Sequence, residues 1–442
     1  MSMVIRNNMD AVRTFNMLYT NTALAQKHLM KVSTGMKVRS AEDDASAYAI
    51  SERMRVRIRA LDQAHSNTQN GSNMMKTAEG AVTQIINTLK TLKEKAINAA
   101  NDSNSDEDRR MIQKEFDQLV DQIDDDALIT FNNKYLIDGT RNNAFEPAKT
   151  LFLNQSLSED TATDTKLTDL KNRAGDSLEI QSGDYYQLSW VMDGKTTVSS
   201  GRVEEKTLAD ILQIADVSEL QATTDGQITG VTDKLGNEIY TPDRKQGIVV
   251  SSTSTDTDEI KNQLAGFAIS ITDSEGHVKK AANAALDQFK QYQRAEIETG
   301  DQSLSFHVGA ESNFATKFAL TDMRTRALGL RGSDGSIISI STKEDANAAI
   351  NVLSNVLEKV LDQQSTIGSA LSRLEHTATN LTTSFTNDQS SESVIRDADM
   401  ATEMTGYLKY NVLSQASQAM LAQANQNPLN VIALISGQSI SE

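Results

Sequence analysis

Cysteine is absent from this 442-residue chain, proline occurs three times, tryptophan once, and aromatic residues make up only 5%. Without cysteine there are no disulfides and no thiolate metal ligands, and redox compartment leaves no mark on the sequence. With so few aromatic rings, any core is built from Leu, Ile, Val, Met and Ala, which favours long thin bundles over one large globule. Basic charge is scarce too: 43 Lys and Arg stand against 60 Asp and Glu, a net charge of -17. That argues against a nucleic-acid partner, because phosphate contacts need clustered cations. No apolar run near the C-terminus exceeds Val431 to Ile435, whereas a bilayer span needs about twenty residues, so no membrane partner is expected. Met1 to Asp10 lacks the apolar stretch and small-residue site of a secretory leader. Sequence physics alone would place the chain in the cytoplasm.

Catalytic and metal-binding patterns are missing as well. There is no His-Glu-x-x-His, no phosphate-binding glycine loop ending in Lys-Ser/Thr, and no Gly-x-Ser-x-Gly elbow. His28, His65, His277, His307 and His376 are far apart in sequence. Asp102, Asn104 and Asp106 alternate as the first ligands of a calcium loop would, but Glu107 stands where glycine is needed and Gln113 where the closing Glu should be. The expectation is no enzyme, no metal and no cofactor. Asn154-Gln155-Ser156 fits the N-glycosylation pattern.

What the chain does have is heptad periodicity. Alternating steps of three and four from Ala47 land on Ile50, Met54, Leu61, Met75, Val82, Leu89, Leu92 and Ala99, with Arg57 the one charged intruder. A helix over this stretch would be roughly 80 Å long at about 1.5 Å per residue, and needs a partner of similar length. A second seam runs through Leu353, Leu357, Val360, Ile367, Leu371, Leu374, Leu381 and Phe385, with Gln364 as its polar interruption. A shorter one holds Ile112, Phe116, Leu119 and Ile123, in a helix that Ser105 caps with Asp108. Periodicity leaves two readings open: a bundle whose chain leaves and returns, or a dimeric coiled coil.

The two ends are weaker helices. Leu18, Leu29 and Val32 lie on one side of Met3 to Met36, and Leu408, Leu413 and Met420 mark a pattern from Ile395 to Pro428. Gly35 stops the first helix, Ser40 with Asp43 caps the long one, and the polar stretch Asn387 to Ser393 ends the return rod. Terminal helices with so little bulky apolar surface are expected to order only when neighbouring copies cover them. From Pro147 to Gly300 heptads vanish and alternating runs appear at Tyr185 to Val191, Thr196 to Val203, Gly247 to Ser251 and Phe267 to Ile271. Leu208 to Ala215 and Ala281 to Tyr292 read as short helices, and Phe131 to Gly139 as a strand pair turning at Asn132-Asn133. The fold class is mainly α: long antiparallel helical bundle or coiled-coil rods from both termini, with a central α+β insertion expected to be dispensable for assembly.

Ser33-Thr34-Gly35-Met36-Lys37-Val38-Arg39-Ser40-Ala41-Glu42-Asp43-Asp44-Ala45, then Ala49 to Arg55, resembles the N-terminal signature of bacterial flagellin, the subunit of the flagellar filament. Thr77-Ala78-Glu79-Gly80-Ala81 is similar to a second block of that family. Arg396 to Met404, and Leu413 through Gln426, look like its C-terminal signature. The resemblance covers roughly residues 1–146 and 301–435. It implies an inner coiled-coil domain from residues 1–44 and 394–442, a helical rod domain from 45–146 and 301–393, and an outer insertion at 147–300. Its alternatives are a hook-filament junction protein or, from another class, an adhesin or hydrolase displayed on flagellin-like ends.

The resemblance also implies partners and a location. The chain would polymerise with itself outside the cell, after export without a cleaved leader. The flagellar type III export apparatus, an export chaperone, a filament cap and the hook-filament junction protein would serve it. Subunit packing would then rest on Leu18, Leu29, Val32, Ile50, Met54, Leu61, Val82, Leu89, Leu92, Leu353, Leu357, Leu371, Leu408, Leu413 and Met420. Leu89 to Asn98 matches the stretch read by the flagellin-sensing Toll-like receptor, where Lys90, Thr91, Glu94, Lys95 and Glu115 would face it. Thr91 and Lys95 depart from the responsive pattern, so recognition is expected to be weakened. Ile435 to Glu442 extends past the family's usual apolar end.

Overall fold

The structure is a computed structural model that describes residues 8–142, 149–213, 218–223, 225–232, 237–253, 263–295 and 301–435. The expected domain boundaries next to Pro147 and Gly300, and the extension 436–442, fall outside the described residues. In chain order the helices are α1 (Met9–Thr34), α2 (Ala45–Ala99), α3 (Asp106–Ala127), α4 (Leu208–Leu212), α5 (Lys280–Leu286), α6 (Thr325–Leu328), α7 (Lys343–Arg396) and α8 (Met400–Ile435). The strands are β1 (Thr130–Phe131), β2 (Lys134–Tyr135), β3 (Leu151–Asn154), β4 (Tyr185–Met192), β5 (Lys195–Arg202), β6 (Ser218–Ala222) and β7 (Gln227–Thr232). They continue with β8 (Glu238–Tyr240), β9 (Ile248–Ser252), β10 (Leu264–Thr272), β11 (Lys290–Gln293), β12 (Leu304–His307) and β13 (Ala315–Phe318). The fold is mainly helical, with long helices from both ends and a central α+β insertion, as the periodicity predicts.

The chain divides into two compact units, and α2 and α7 contribute residues to both. The first unit holds Met1–Asn67, Val308–Phe314 and Thr377–Glu442. Here α1 is capped by Asn8, whose side chain accepts from the Ala11 N–H, and is closed by Gly35 in the left-handed region. The cap of α2 is Asp44, which accepts from the Ala47 N–H at 2.9 Å, and not Ser40. Asp43 instead accepts from the Arg39 N–H, closing the turn before the helix. Arg57, the charged intruder of the first seam, meets Asp388 of α7 at 3.0 Å. A paired charge at a seam position fixes register more than it stabilises. Leu61 and Ala64 pack with Leu381, and Ala310 and Phe385 lie against them. The polar stretch Asn387 to Ser393 does not end α7, which continues to Arg396. It contains neither glycine nor proline, and its Asp388 already has a partner.

The second unit holds Thr68–His307 and Ala315–His376. Along α2 every seam position from Leu61 to Ala99 is buried, whereas Ala47, Ile50, Met54 and Arg57 are not. The helix α3 starts with the expected capping box, Ser105 with Asp108. Arg109, in the first turn of α3, is buried and donates across the loop to Ala99 O at 2.8 Å and Asn101 O at 3.0 Å. It thereby sets a cation on the carbonyls that close α2. Asp102 pairs with Lys343 and Asp106 with Arg109, so these carboxylates are engaged in ion pairs. On α7 the buried line runs through Ala349, Val352, Val356, Val360, Gln363, Ile367, Ala370 and Leu374. Leu357 and Leu371 are half-buried at its flank. The buried face of α7 is wider than one heptad line because the insertion packs on it too.

In that insertion, strands pair antiparallel in the orders β10-β4-β5 and β11-β3-β9-β6. Their core includes Phe152, Leu188, Val250, Phe267 and Phe289. The stretch Ala281 to Tyr292 is helical only to Leu286; Lys290–Gln293 is a strand paired with β3. The Asn154 side chain is buried, donating to Ala285 O at 2.8 Å and accepting from the Ser156 N–H, so the sequon offers no exposed acceptor in the fold.

The insertion is keyed to the helices. Asn351 of α7 donates to Phe267 O at 3.0 Å and to Asp287 Oδ1 at 2.9 Å. At the tip of the β4–β5 hairpin, Asp193 accepts from the Ser333 N–H and hydroxyl, and Lys195 pairs with Asp334 at 2.7 Å. Gly194, at φ +73, lies so close that an added Cβ would sit 2.6 Å from Gly332 N and Ser336 O. The 329–340 connector in turn is held to α3 by Arg331 with Asp121 and by Gln113 with the Ile338 and Ile340 backbones. The insertion is therefore fastened to this connector through the tip of the β4–β5 hairpin.

Helical glycines give a direct test. A Cβ on Gly71 would lie 3.0 Å from the Phe306 ring of β12, whereas a Cβ on Gly80 would meet nothing within 4 Å. Alanine is favoured over glycine inside a helix by about 1 kcal/mol. Gly80→Ala should raise monomer stability by about that amount in thermal unfolding, while Gly71→Ala should gain nothing or lose stability. Equal stabilisation by both would contradict the Phe306 contact.

Candidate assembly interface

A pair of terminal helices in the first unit carries the features that distinguish this chain. The side chains by which α1 and α8 meet are small or polar: Asn21 donates to Ser417 Oγ at 3.1 Å, Thr22 lies 3.1 Å from Ser414 Oγ, and Ala25 and Ala424 are buried. Leu18 and Val32 are half-buried there. Most of the bulky apolar residues are exposed instead. Val12, Phe15, Met17, Tyr19 and Leu29 of α1 are exposed, as are Met404, Leu408, Val412, Leu413 and Met420 of α8. An ordinary amphipathic pair buries its large residues and exposes its small ones; this one does the reverse.

Near the loop end of the pair is a polar clasp. His28 Nδ1 lies 2.5 Å from Glu403 Oε2, Lys31 reaches the other carboxylate oxygen at 3.3 Å, and the His28 ring stacks on Tyr410 at 5.4 Å. Gly406 makes room for it, since a Cβ there would lie 2.8 Å from the imidazole. Burial alone would push the Glu403 carboxyl up, but the bonds and charges of His28 and Lys31 outweigh it and hold the group below its ordinary 4.5. The opposite helix ends are joined by Asn8, whose Nδ2 donates to Ala424 O at 2.7 Å.

The other residues expected to pack subunits divide by place. Leu61, Val82, Leu89, Leu92 and Leu353 are buried within the chain, Met54, Leu357 and Leu371 are half-buried, and Ile50 is exposed. Of the receptor set, Lys90, Glu94 and Glu115 are exposed and Thr91 is half-buried. Lys95 and Glu115 are brought together as an ion pair of 2.6 Å between α2 and α3. Heptad stepping misses the clasp altogether; the signal for it was a glycine at 406 within an otherwise helical stretch.

A carboxylate whose pKa is depressed in the fold contributes stability above its unfolded value and loses it as pH falls through the folded value. Helix pairing by α1 and α8 should therefore weaken as pH falls below about 4.5. Glu403→Gln should flatten that acid limb in a circular-dichroism titration; an unchanged limb would remove Glu403 from the clasp.

The model of the bacterial flagellin N-terminal helical region matches residues 5–142, and that of the C-terminal helical region matches residues 350–435. The chain is 32% identical over 430 residues to a flagellin of Clostridium tyrobutyricum, covering 96% of this chain and 99% of that one. To a flagellin of Bacillus subtilis it is 28% identical over 436 residues, covering 98% and 100%. A solved structure of the flagellar junction protein of Legionella pneumophila is similar at 16% identity over 79% of this chain and all of that one, with a TM-score of 0.32, which carries no argument about function. The chain belongs to the bacterial flagellin family and is a non-catalytic structural subunit of a self-assembling filament.

Proposed function

We propose that this chain polymerises with itself into the extracellular flagellar filament, and that the outward apolar faces of α1 and α8 are where further copies pack. The reversed polarity of that helix pair carries the reading. Ordering a residue costs about 1–2 kcal/mol of backbone entropy, and burying a large apolar side chain returns about 1.5–3 kcal/mol. A pair that exposes Phe15, Leu408 and Met420 leaves that return unrealised until something covers them. In this reading residues 1–44 with 394–442 form the inner coiled coil, 45–146 with 301–393 the helical rod, and 147–300 the outer part. Passage through the type III export apparatus without a cleaved leader, a chaperone before export, the cap at the growing end and the junction protein at the base complete it.

Leu413 separates folding from assembly. It is 40% exposed on the monomer, so Leu413→Asp should change monomer stability by no more than about 0.5 kcal/mol. A charge buried between copies is strongly unfavourable. Negative-stain microscopy of monomer seeded with filament fragments should show long filaments for wild type and none for Leu413→Asp. Wild-type yield from the variant would place the packing face elsewhere.

Recognition by the flagellin-sensing receptor is proposed to be weak. Lys95 replaces the responsive pattern's apolar residue and engages the Glu115 carboxylate within the chain. A reporter-cell dose response should therefore be shifted to higher concentration than for a strongly stimulating flagellin. Superimposable curves would refute this.

A further inference from the structure

Proline inside a helix removes the N–H that would bond to the carbonyl four residues earlier. In α8 that proline is Pro428, and the carbonyl it leaves without its helical donor is that of Ala424. Ala424 is only 8% exposed, so water does not readily replace the donor. An unpaired buried carbonyl is costly enough that folded proteins almost always supply a partner. The partner here comes from the other end of the chain: Asn8 Nδ2 donates to Ala424 O at 2.7 Å. The same side chain turns its Oδ1 to the Ala11 N–H at 3.0 Å and caps α1. One amide therefore completes the start of one terminal helix and the gap in the other.

We propose that Asn8 and Pro428 form a matched pair that sets the register of α1 on α8, with Asn8 a positioning residue for assembly. Register needs such a device here. Away from the His28–Glu403 clasp, which marks register at the loop end, the contact faces are mostly Ala, Ser, Thr and Asn with Leu18 and Leu421 half-buried among them, and small side chains pack much the same when one helix slides along the other by a turn. Asn8 finds an unsatisfied carbonyl only opposite the residue four before the proline. At any other register its donor meets carbonyls that already have helical partners, while Ala424 O is left without one. The proline thus marks a fixed position for α1 at the end of α8 far from the clasp.

This rests on the filament reading for its main readout, and the variants separate the two functions of the amide. Asn8→Ser keeps a capping oxygen but shortens the reach, and Asn8→Asp keeps the capping oxygen while placing an acceptor against the Ala424 carbonyl. Pro428→Ala restores the helical N–H to that carbonyl. The four chains to compare are wild type, Asn8→Asp, Pro428→Ala and the double variant, by critical concentration for seeded polymerisation at neutral pH. Asn8→Asp alone should raise the critical concentration by about tenfold or more, since a buried carbonyl loses the donor that stands in for its missing helical one. In the Pro428→Ala background the same change should cost less than about threefold, and Asn8→Ser should follow the same pattern. An equal effect of Asn8→Asp in both backgrounds, or none in either, would overturn the pairing. Failure of wild type to polymerise would count against the filament reading alone. Hydrogen exchange at the α1 amides of the same four monomers would then decide the pairing, by whether restoring the α8 N–H relieves the loss.

Discussion

Hydrophobic burial contributes little to holding α1 to α8, because most of the side chains between them are small or polar and Leu18 and Val32 are only half-buried. Polar contacts therefore decide how the ends of the chain meet: Asn8 with the Ala424 carbonyl, Asn21 with Ser417, Thr22 with Ser414, and Glu403 with His28 and Lys31. Each is worth little in net free energy but leaves an unsatisfied group if displaced. Such contacts specify an arrangement without making it strong. The strength is left to the apolar residues on the outside, which other copies would cover in the proposed assembly.

The second unit follows the opposite economy. From Thr68 to Ala99 the α2 seam is closed, Phe116, Val120 and Ile123 of α3 are fully buried, and the buried line of α7 extends from Ala349 to Leu374. This unit buries its seams within one chain, whereas the terminal pair leaves most of its large apolar residues exposed. A subunit of that kind can be stable as a monomer and still keep its ends ready to join.

Much of this was legible in the sequence where one physical rule acts alone. The Ser105–Asp108 capping box, the left-handed Asn132-Asn133 turn and the closed seam of α2 from Leu61 are each local or strictly periodic. Reading failed where two rules compete. A polar run after Phe385 looked like a helix end, but with no glycine or proline only its partners could settle the matter, and Asp388 had Arg57. Pro428 looked like a stop, yet a donor 420 positions away in the chain makes it tolerable; no window of sequence contains that fact. Along α7, heptad stepping meets the side that is buried within the chain but not its width, because the insertion covering Val352 and Asn351 is invisible to heptads.

The meeting of Gly194 with the Gly332–Ser336 turn bears on how such a chain can change over time. Most residues of β5 are exposed and free of such constraint, but the insertion must still meet the helices at a few fixed points. At the hairpin tip the two backbones leave no volume for a side chain, since a Cβ on Gly332 would lie 2.1 Å from Asp193 O. An exchanged outer segment would have to arrive with a glycine turn at the same height, or else lose its fastening. Sequence change in the insertion and the grafting of a foreign one thus meet the same limit, set by two residues that carry no side chain.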